Sequence, residues 1–118
     1  MSAVTAAVLD EAANVIQRNG WVQNSYVNRD QIEDGLPPGD CAFCARGAIN
    51  FALGGDPEND YFRGVEDAVG AVELWLESSG AFGDYASLHE WNDDPDRTAE
   101  QVIAALEGAA RAEREAGS

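Results

Sequence analysis

Residues 98–110 read TAEQVIAALEGAA and carry the clearest structural signal in the chain. The run opens with a capping box, in which the side chains of Thr98 and Gln101 each accept a hydrogen bond from the other residue's backbone N–H. Apolar residues then recur at helical spacing, namely Val102, Ile103, Ala105, Leu106, Ala109 and Ala110. The segment therefore predicts a helix with one buried face, frayed from about residue 113.

The same periodicity predicts a first helix near the start of the chain, with Val4, Val8, Ala12, Val15 and Ile16 on one face. Asn19 and Gly20 end it, because both residues tolerate the left-handed cap conformation. Residues 21–27 mix aromatic and β-branched residues with polar ones and predict a short extended segment. Trp21 is expected to fold back onto the first helix, and residues 30–39 are predicted to form a loop.

Two more helices are predicted in the middle of the chain. The second begins at Asp40, a favourable N-cap residue, and ends at Gly54–Gly55. The third begins at Asp56–Pro57, since proline suits the first helical position, and ends at Ser78–Gly80. Gly64 weakens the third helix and allows a break there. A short helix or turn is expected within residues 84–92.

These segments predict a mainly α fold, a compact bundle of about four helices with a short extended segment near residues 21–27. The chain has 118 residues, which is enough for one hydrophobic core and too few for two. A single domain over residues 1–118 is therefore expected.

Charge restricts the classes of partner. The chain has 22 acidic and 7 basic residues, a net charge of −15, and all of its basic residues are arginine. This charge repels phosphate backbones and anionic lipids, so direct binding to nucleic acid or to a membrane is not expected. A basic protein partner, a bound cation and simple solubility remain open. The arginine bias indicates a high-GC or a salt-adapted genome.

The N-terminal residues lack the basic stretch and apolar block of a secretory signal, so a cytoplasmic location is expected. No apolar run reaches the roughly 18 residues that a membrane span requires.

Cys41 and Cys44 could form half of a zinc site or a redox pair. A second pair of ligands is absent and His89 is the only histidine, so two buried, reduced core residues are the favoured interpretation. His89 and the acids beside it could serve in acid–base catalysis or hold a divalent cation, but the calcium-loop spacing is absent. Acids that cap the last helix or lie in the loop before it are the favoured interpretation. The sequence therefore predicts no metal, no cofactor and no catalytic residue.

Glu66, Glu73 and Glu77 lie along one side of the third predicted helix. They could imitate a phosphate backbone, although a solvated face is the simpler interpretation. Leu74 points away from the apolar stripe, so it either lies in an exposed contact patch or packs in the core, and burial is favoured. These four residues are the candidate binding residues.

The residue types in the segment from Trp91 to Thr98 are those that build turns. Side chains of Asn92 and Asp93 bond nearby backbone, and Arg97 can bridge to a carboxylate. A structural role is expected for this segment and for the buried residues noted above. The predicted structural residues are Trp21, Cys41, Cys44, Trp91, Asn92, Asp93, Arg97 and Thr98.

Three patterns together resemble an uncharacterised family of small actinobacterial and actinophage proteins. They are Gly20-Trp21-Val22-Gln23, Cys44-Ala-Arg-Gly47-Ala48-Ile49 and Trp91-Asn92-Asp93…Arg97-Thr98. The resemblance extends over about residues 4–110, although this chain is more acidic than expected for the family. It implies a helical domain of unknown function, often phage-encoded, and it brings no catalytic residues.

Three functional hypotheses follow. The first is a non-enzymatic acidic protein that interacts with a host protein, in the host cytoplasm if it is phage-encoded. The second is a nucleic-acid mimic that occupies a DNA- or RNA-binding protein. The third is a metal- or thiol-dependent enzyme that uses Cys41, Cys44 and His89.

Overall fold

The computed structural model describes residues 2–117, most of which are helical. The helices in this range are α1 (Ser2–Asn19), α2 (Arg29–Glu33), α3 (Ala45–Gly54), α4 (Val65–Ser78), α5 (Leu88–Asn92) and α6 (Ala99–Gly117), with a 3₁₀ turn at Pro38–Asp40. The predicted mainly helical class is confirmed, because α1, α3, α4 and α6 are each at least 10 residues long.

The helix α6 packs against α1 and α4, and α1 also contacts α3. The core between these helices includes the fully buried Leu9, Ile16, Ile49, Val72, Leu76 and Leu106. Burial of each such side chain stabilises the fold by about 1.5–3 kcal/mol. The C-terminal end of α6 lies beside the first half of α1, where Arg114 forms an ion pair with Asp10. The helix continues to Gly117, beyond the predicted fraying point.

The capping box at the start of α6 has the predicted geometry. The Thr98 N–H donates to Gln101 Oε1 at 3.0 Å, and the Gln101 N–H donates to Thr98 Oγ1 at 3.2 Å. Two otherwise unpaired backbone donors at the helix start are thereby satisfied.

The predicted start of the second helix at Asp40 is wrong, since α3 begins at Ala45. The chain before it is used for tertiary backbone pairing. Phe43 donates to Gly20 O at 3.3 Å and accepts from Val22 N at 3.2 Å. A helix from Asp40 would break these bonds, so the N-cap role passes to Cys44, whose Sγ accepts from the Gly47 N–H at 3.2 Å.

The predicted start of the third helix at Asp56–Pro57 is also wrong, because α4 begins at Val65. Gly64, its N-cap residue, has φ 98°, a left-handed conformation that interrupts a helix and that glycine adopts without strain. Residues 56–64 instead form turns. Within them the Pro57 carbonyl accepts a hydrogen bond from Asn50 Nδ2 at 3.0 Å.

Between α1 and α3 the chain contains no strand within the described residues. Isolated bridges join Trp21 and Val27 to Phe43, and residues 23–26 between them are bent. The helix α2 lies where a loop was predicted, and its N-cap Asn28 accepts from the Gln31 N–H at 3.0 Å. The predicted extended segment is thus restricted to its two ends.

Gly47 allows the close approach of α3 to this segment. A Cβ atom at position 47 would lie 2.1 Å from the Tyr26 carbonyl oxygen. Real Cβ atoms do not approach a backbone atom so closely, so a side chain here would force α3 away from Tyr26.

We predict that Gly47→Ala lowers the free energy of unfolding by about 2–4 kcal/mol, because the methyl group collides with backbone. The matched control is Gly70→Ala in α4, where an added Cβ would have no neighbour within 4 Å. This control should raise stability by up to about 1 kcal/mol through better helix propensity. Urea unfolding followed by circular dichroism measures both changes, and equal stabilities of the two variants would contradict the close approach.

Candidate functional site

An open groove of about 590 Å³ lies beside the first half of α1 and the first three turns of α4. Val4 and Val8 line it from α1, and Ala71 and Leu74 line it from α4. Leu53, near the end of α3, is also part of the lining. The surface of the groove is therefore mainly aliphatic.

Two groove residues are unusually exposed for large apolar side chains. Val4 is 66% exposed and Leu74 is 63% exposed. The favoured prediction that Leu74 is buried is therefore wrong. The core stripe of α4 faces α6, and no helix in residues 2–117 covers the side of α4 that carries Leu74.

Three charged residues line the groove, namely Arg63, Asp67 and Glu113. None of them forms an ion pair within the described part of the chain. The groove thus has two free carboxylates and one free guanidinium around an apolar surface.

The predicted acidic face of α4 is not a uniform free surface. Glu66 lies 3.4 Å from the Arg46 guanidinium, and Glu73 Oε2 accepts from the Leu88 N–H at 2.7 Å. Glu73 therefore stabilises the start of α5. Glu77 is exposed, and none of the three glutamates lines the groove.

Both cysteines are completely buried and neither forms a disulfide. Cys44 is the N-cap residue of α3, and a helix start usually lowers the pKa of a thiol. Burial outweighs the hydrogen bond from the Gly47 N–H and raises the pKa of Cys44 to about 11. The thiol is therefore protonated at neutral pH and works as a cap.

His89 lies on α5, where its Nε2 is 3.2 Å from Asp93 Oδ2. Among residues 2–117, no group of three or more His, Cys, Asp or Glu side chains is arranged to hold a metal ion. The structure therefore does not bring Cys41, Cys44 and His89 into a common ligand set.

Asn92 is fully buried and joins three segments of the chain. Its Oδ1 accepts from Trp21 Nε1 at 2.8 Å and from the Ala45 N–H at 3.0 Å, and its Nδ2 donates to Val22 O at 3.3 Å. Gln23 Nε2 donates to the Asn92 backbone carbonyl at 3.1 Å. The side chain and backbone of Asn92 thus hold α5 against the start of α3 and the segment after α1.

The residues near Asn92 in the chain also form hydrogen bonds and a cation–ring contact. Asp93 Oδ1 accepts from the Asn24 N–H at 2.8 Å. Trp91 is buried, and the Arg97 guanidinium lies 4.0 Å from the centroid of its ring. Arg97 Nε also donates to the Trp91 carbonyl at 2.9 Å, while Asp94, its nearest carboxylate, is 4.0 Å away.

A second polar cluster, centred on Asp60, was not found from the sequence. Tyr26 donates to Asp60 Oδ2 at 2.7 Å, and Arg46 and Asn50 donate to Oδ1 at 2.9 and 2.8 Å. Burial disfavours the carboxylate, but these three hydrogen bonds outweigh it and lower the pKa of Asp60. Burial and the bond to Asp60 raise the pKa of Tyr26 to about 12.

The only sequence signal for this cluster lies within α3. The pair Arg46 and Asn50 is spaced i, i+4 and so shares a helix face. Nothing in the sequence shows that Tyr26 and Asp60 meet them, because the chain between is irregular.

Fold and groove together define a small helical protein with an open apolar groove and a strongly acidic composition. The chain belongs to a family of unknown function (DUF6197), which matches residues 1–112. No curated protein and no solved structure matches the chain. The expected membership of an uncharacterised family is confirmed, and that family carries no assigned activity. None of the helices in residues 2–117 is long and apolar enough to span a membrane.

We predict that Asn92→Ala lowers the free energy of unfolding by about 3 kcal/mol, because the Trp21 and Ala45 donors lose their buried acceptor. The matched control is Asn28→Ala, which removes one N-cap bond of the short helix α2. This control should lower the free energy of unfolding by about 1 kcal/mol. Chemical unfolding gives both values. A loss for Asn92→Ala no larger than for Asn28→Ala would show that the buried amide is not a main support of the fold.

We also predict that alkaline pH destabilises the protein through Cys44. Its pKa rises from 9.0 to about 11 on folding, so this contribution to stability is complete below pH 9 and is lost as pH rises through 11. The slope in that window approaches about 1.4 kcal/mol per pH unit. Cys44→Ser keeps a capping acceptor and removes this titration, so its unfolding free energy should depend less on pH between 9 and 11. Identical pH profiles for the two proteins would contradict the burial of a protonated thiol.

Proposed function

We propose that the protein is a non-enzymatic interaction protein that binds a segment of a partner protein in the groove between α1 and α4. The observation that carries this proposal is the exposure of Val4 and Leu74 on one apolar surface. Contiguous exposed apolar surface rimmed by charge is typical of protein contact sites. Leu74, one of the four candidate binding residues, belongs to this surface.

The three glutamates of α4 are a weaker candidate binding site than the groove. Glu66 and Glu73 already interact within the chain, so a phosphate-mimicking row would consist mainly of Glu77. The enzyme hypothesis has no comparable support, because Cys44 is a buried cap with a raised pKa. The groove is therefore the better candidate site.

We further propose a cellular setting for this interaction. The partner is a host protein in the cytoplasm, and the gene belongs to an actinobacterium or to one of its phages. Support comes from the arginine-only basic composition and from the resemblance to small actinobacterial and actinophage proteins. Direct contact with nucleic acid is disfavoured by the net charge of −15.

Site-specific photocrosslinking in the native host tests the proposal. A benzophenone amino acid replaces Leu74 in one variant and Tyr61 in the other, where the side chain is 94% exposed but does not line the groove. We expect position 74 to yield one defined protein adduct on a denaturing gel and position 61 to yield none. Adducts of the same pattern from both positions, or none from position 74, would refute binding through the groove.

A further inference from the structure

The lining residues of the groove follow helical spacing on both sides. Val4 and Val8 are four residues apart on α1, and Asp67, Ala71 and Leu74 are spaced i, i+4, i+7 on α4. Each set therefore forms a ridge along its own helix, and the two ridges bound a channel. Gly70, another lining residue of α4, has no side chain, so an added element could approach the backbone of α4 closely.

We propose that the occupant of this groove is an amphipathic α-helix of a partner protein, apolar on one face and basic beside it. This inference rests on the proposed function and specifies the chemistry of the partner segment. Such a helix would add one more member to the bundle, with its apolar face on Val4, Val8 and Leu74. Helices that bind in this way present anchors at i, i+3, i+4 and i+7.

The openness of the groove favours a helix over a small molecule. Sites for small ligands usually enclose 70–90% of the ligand surface. Here Val4 and Leu74 are more than half exposed, so the groove covers only one side of its occupant. An added β-strand has no sheet edge to join, since residues 2–117 contain isolated bridges only.

Charge selects a basic partner over a second copy of this chain. Two copies would each bring a net charge of −15, and their mutual repulsion opposes self-association. The carboxylates of Asp67 and Glu113 lie at the groove without an ion pair in the described structure, against the single guanidinium of Arg63. A helix with lysine or arginine beside its apolar face would pair with these acids.

The probe is a synthetic, fluorescein-labelled peptide of about 15 residues, comparable in length to α4. It has leucine at i, i+3, i+4 and i+7 and lysine or alanine elsewhere. One control peptide has the same composition with the leucines scrambled around the helix, and another has glutamate in place of lysine. Fluorescence anisotropy with the full chain measures binding, and amide shifts in NMR spectra locate it.

Two variants of the chain test the contact, each with a matched control. Gly70→Leu fills the groove at a position where a new Cβ meets nothing within 4 Å, so the fold should persist. Its control is Ala104→Leu, at an exposed position of α6 outside the groove lining. Asp67→Asn tests the rim charge, and Glu77→Gln is its control outside the groove. Thermal melts confirm that all four variants are folded.

We expect the patterned basic peptide to bind, with shifts at Val4, Ala71 and Leu74 and at least tenfold weaker binding of both control peptides. Gly70→Leu should weaken binding at least tenfold, while Ala104→Leu leaves it unchanged. Asp67→Asn should weaken it about two- to fivefold, the range of an exposed ion pair, and Glu77→Gln should have no effect.

Equal binding of the scrambled or acidic peptide would overturn the inference, as would binding that Gly70→Leu does not change. Concentration-dependent dimers that Gly70→Leu abolishes would identify a second copy as the occupant, and dodecanoate displacing the peptide would identify a small apolar ligand. Either result would overturn it. If the peptide fails but the Leu74 crosslink persists, only the helix inference fails; loss of both refutes the proposed function too.

Discussion

The buried amide of Asn92 is the interaction on which the rest of the structure depends. Its oxygen accepts from the side chain of Trp21 and from the backbone of Ala45, two groups from distant parts of the chain. A buried donor without an acceptor costs about 1–3 kcal/mol, so each segment must reach this one residue. Through these bonds Asn92 joins the start of α3 to the segment that follows α1.

The polar centre and the groove lie at opposite ends of α1. Asn92 is hydrogen-bonded to the segment that follows the C-terminal end of this helix. Val4 and Val8, in the N-terminal half of the helix, line the groove. At the first end, buried polar groups are paired and fix a single geometry. At the other end, apolar side chains remain accessible to solvent. This division separates the part of the molecule that specifies the fold from the part proposed to bind.

The acidic composition also has a structural role. Asp60 accepts three side-chain hydrogen bonds, Glu73 accepts from the start of α5, and Asp93 holds the backbone at Asn24. Carboxylates are good acceptors because each oxygen can take more than one bond. Several partly buried acids are therefore held by hydrogen bonds within the chain, and the net charge alone does not reveal which carboxylates are free for a partner.

The sequence by itself determined the helical class, the first and last long helices and the capping box at Thr98, because periodicity and caps depend on neighbouring residues. The start of α3 was decided only by tertiary structure: Asp40 is a good local cap, but the backbone pairing of Phe43 overrides it. For α4 the sequence already allowed a break at Gly64, the residue that precedes the helix. Burial likewise raises the pKa of the Cys44 thiol, although a helix start by itself usually lowers it. The exposure of Leu74 and the presence of the groove depend on which side of α4 the other helices cover. The spacing of residues along α4 does not contain that information.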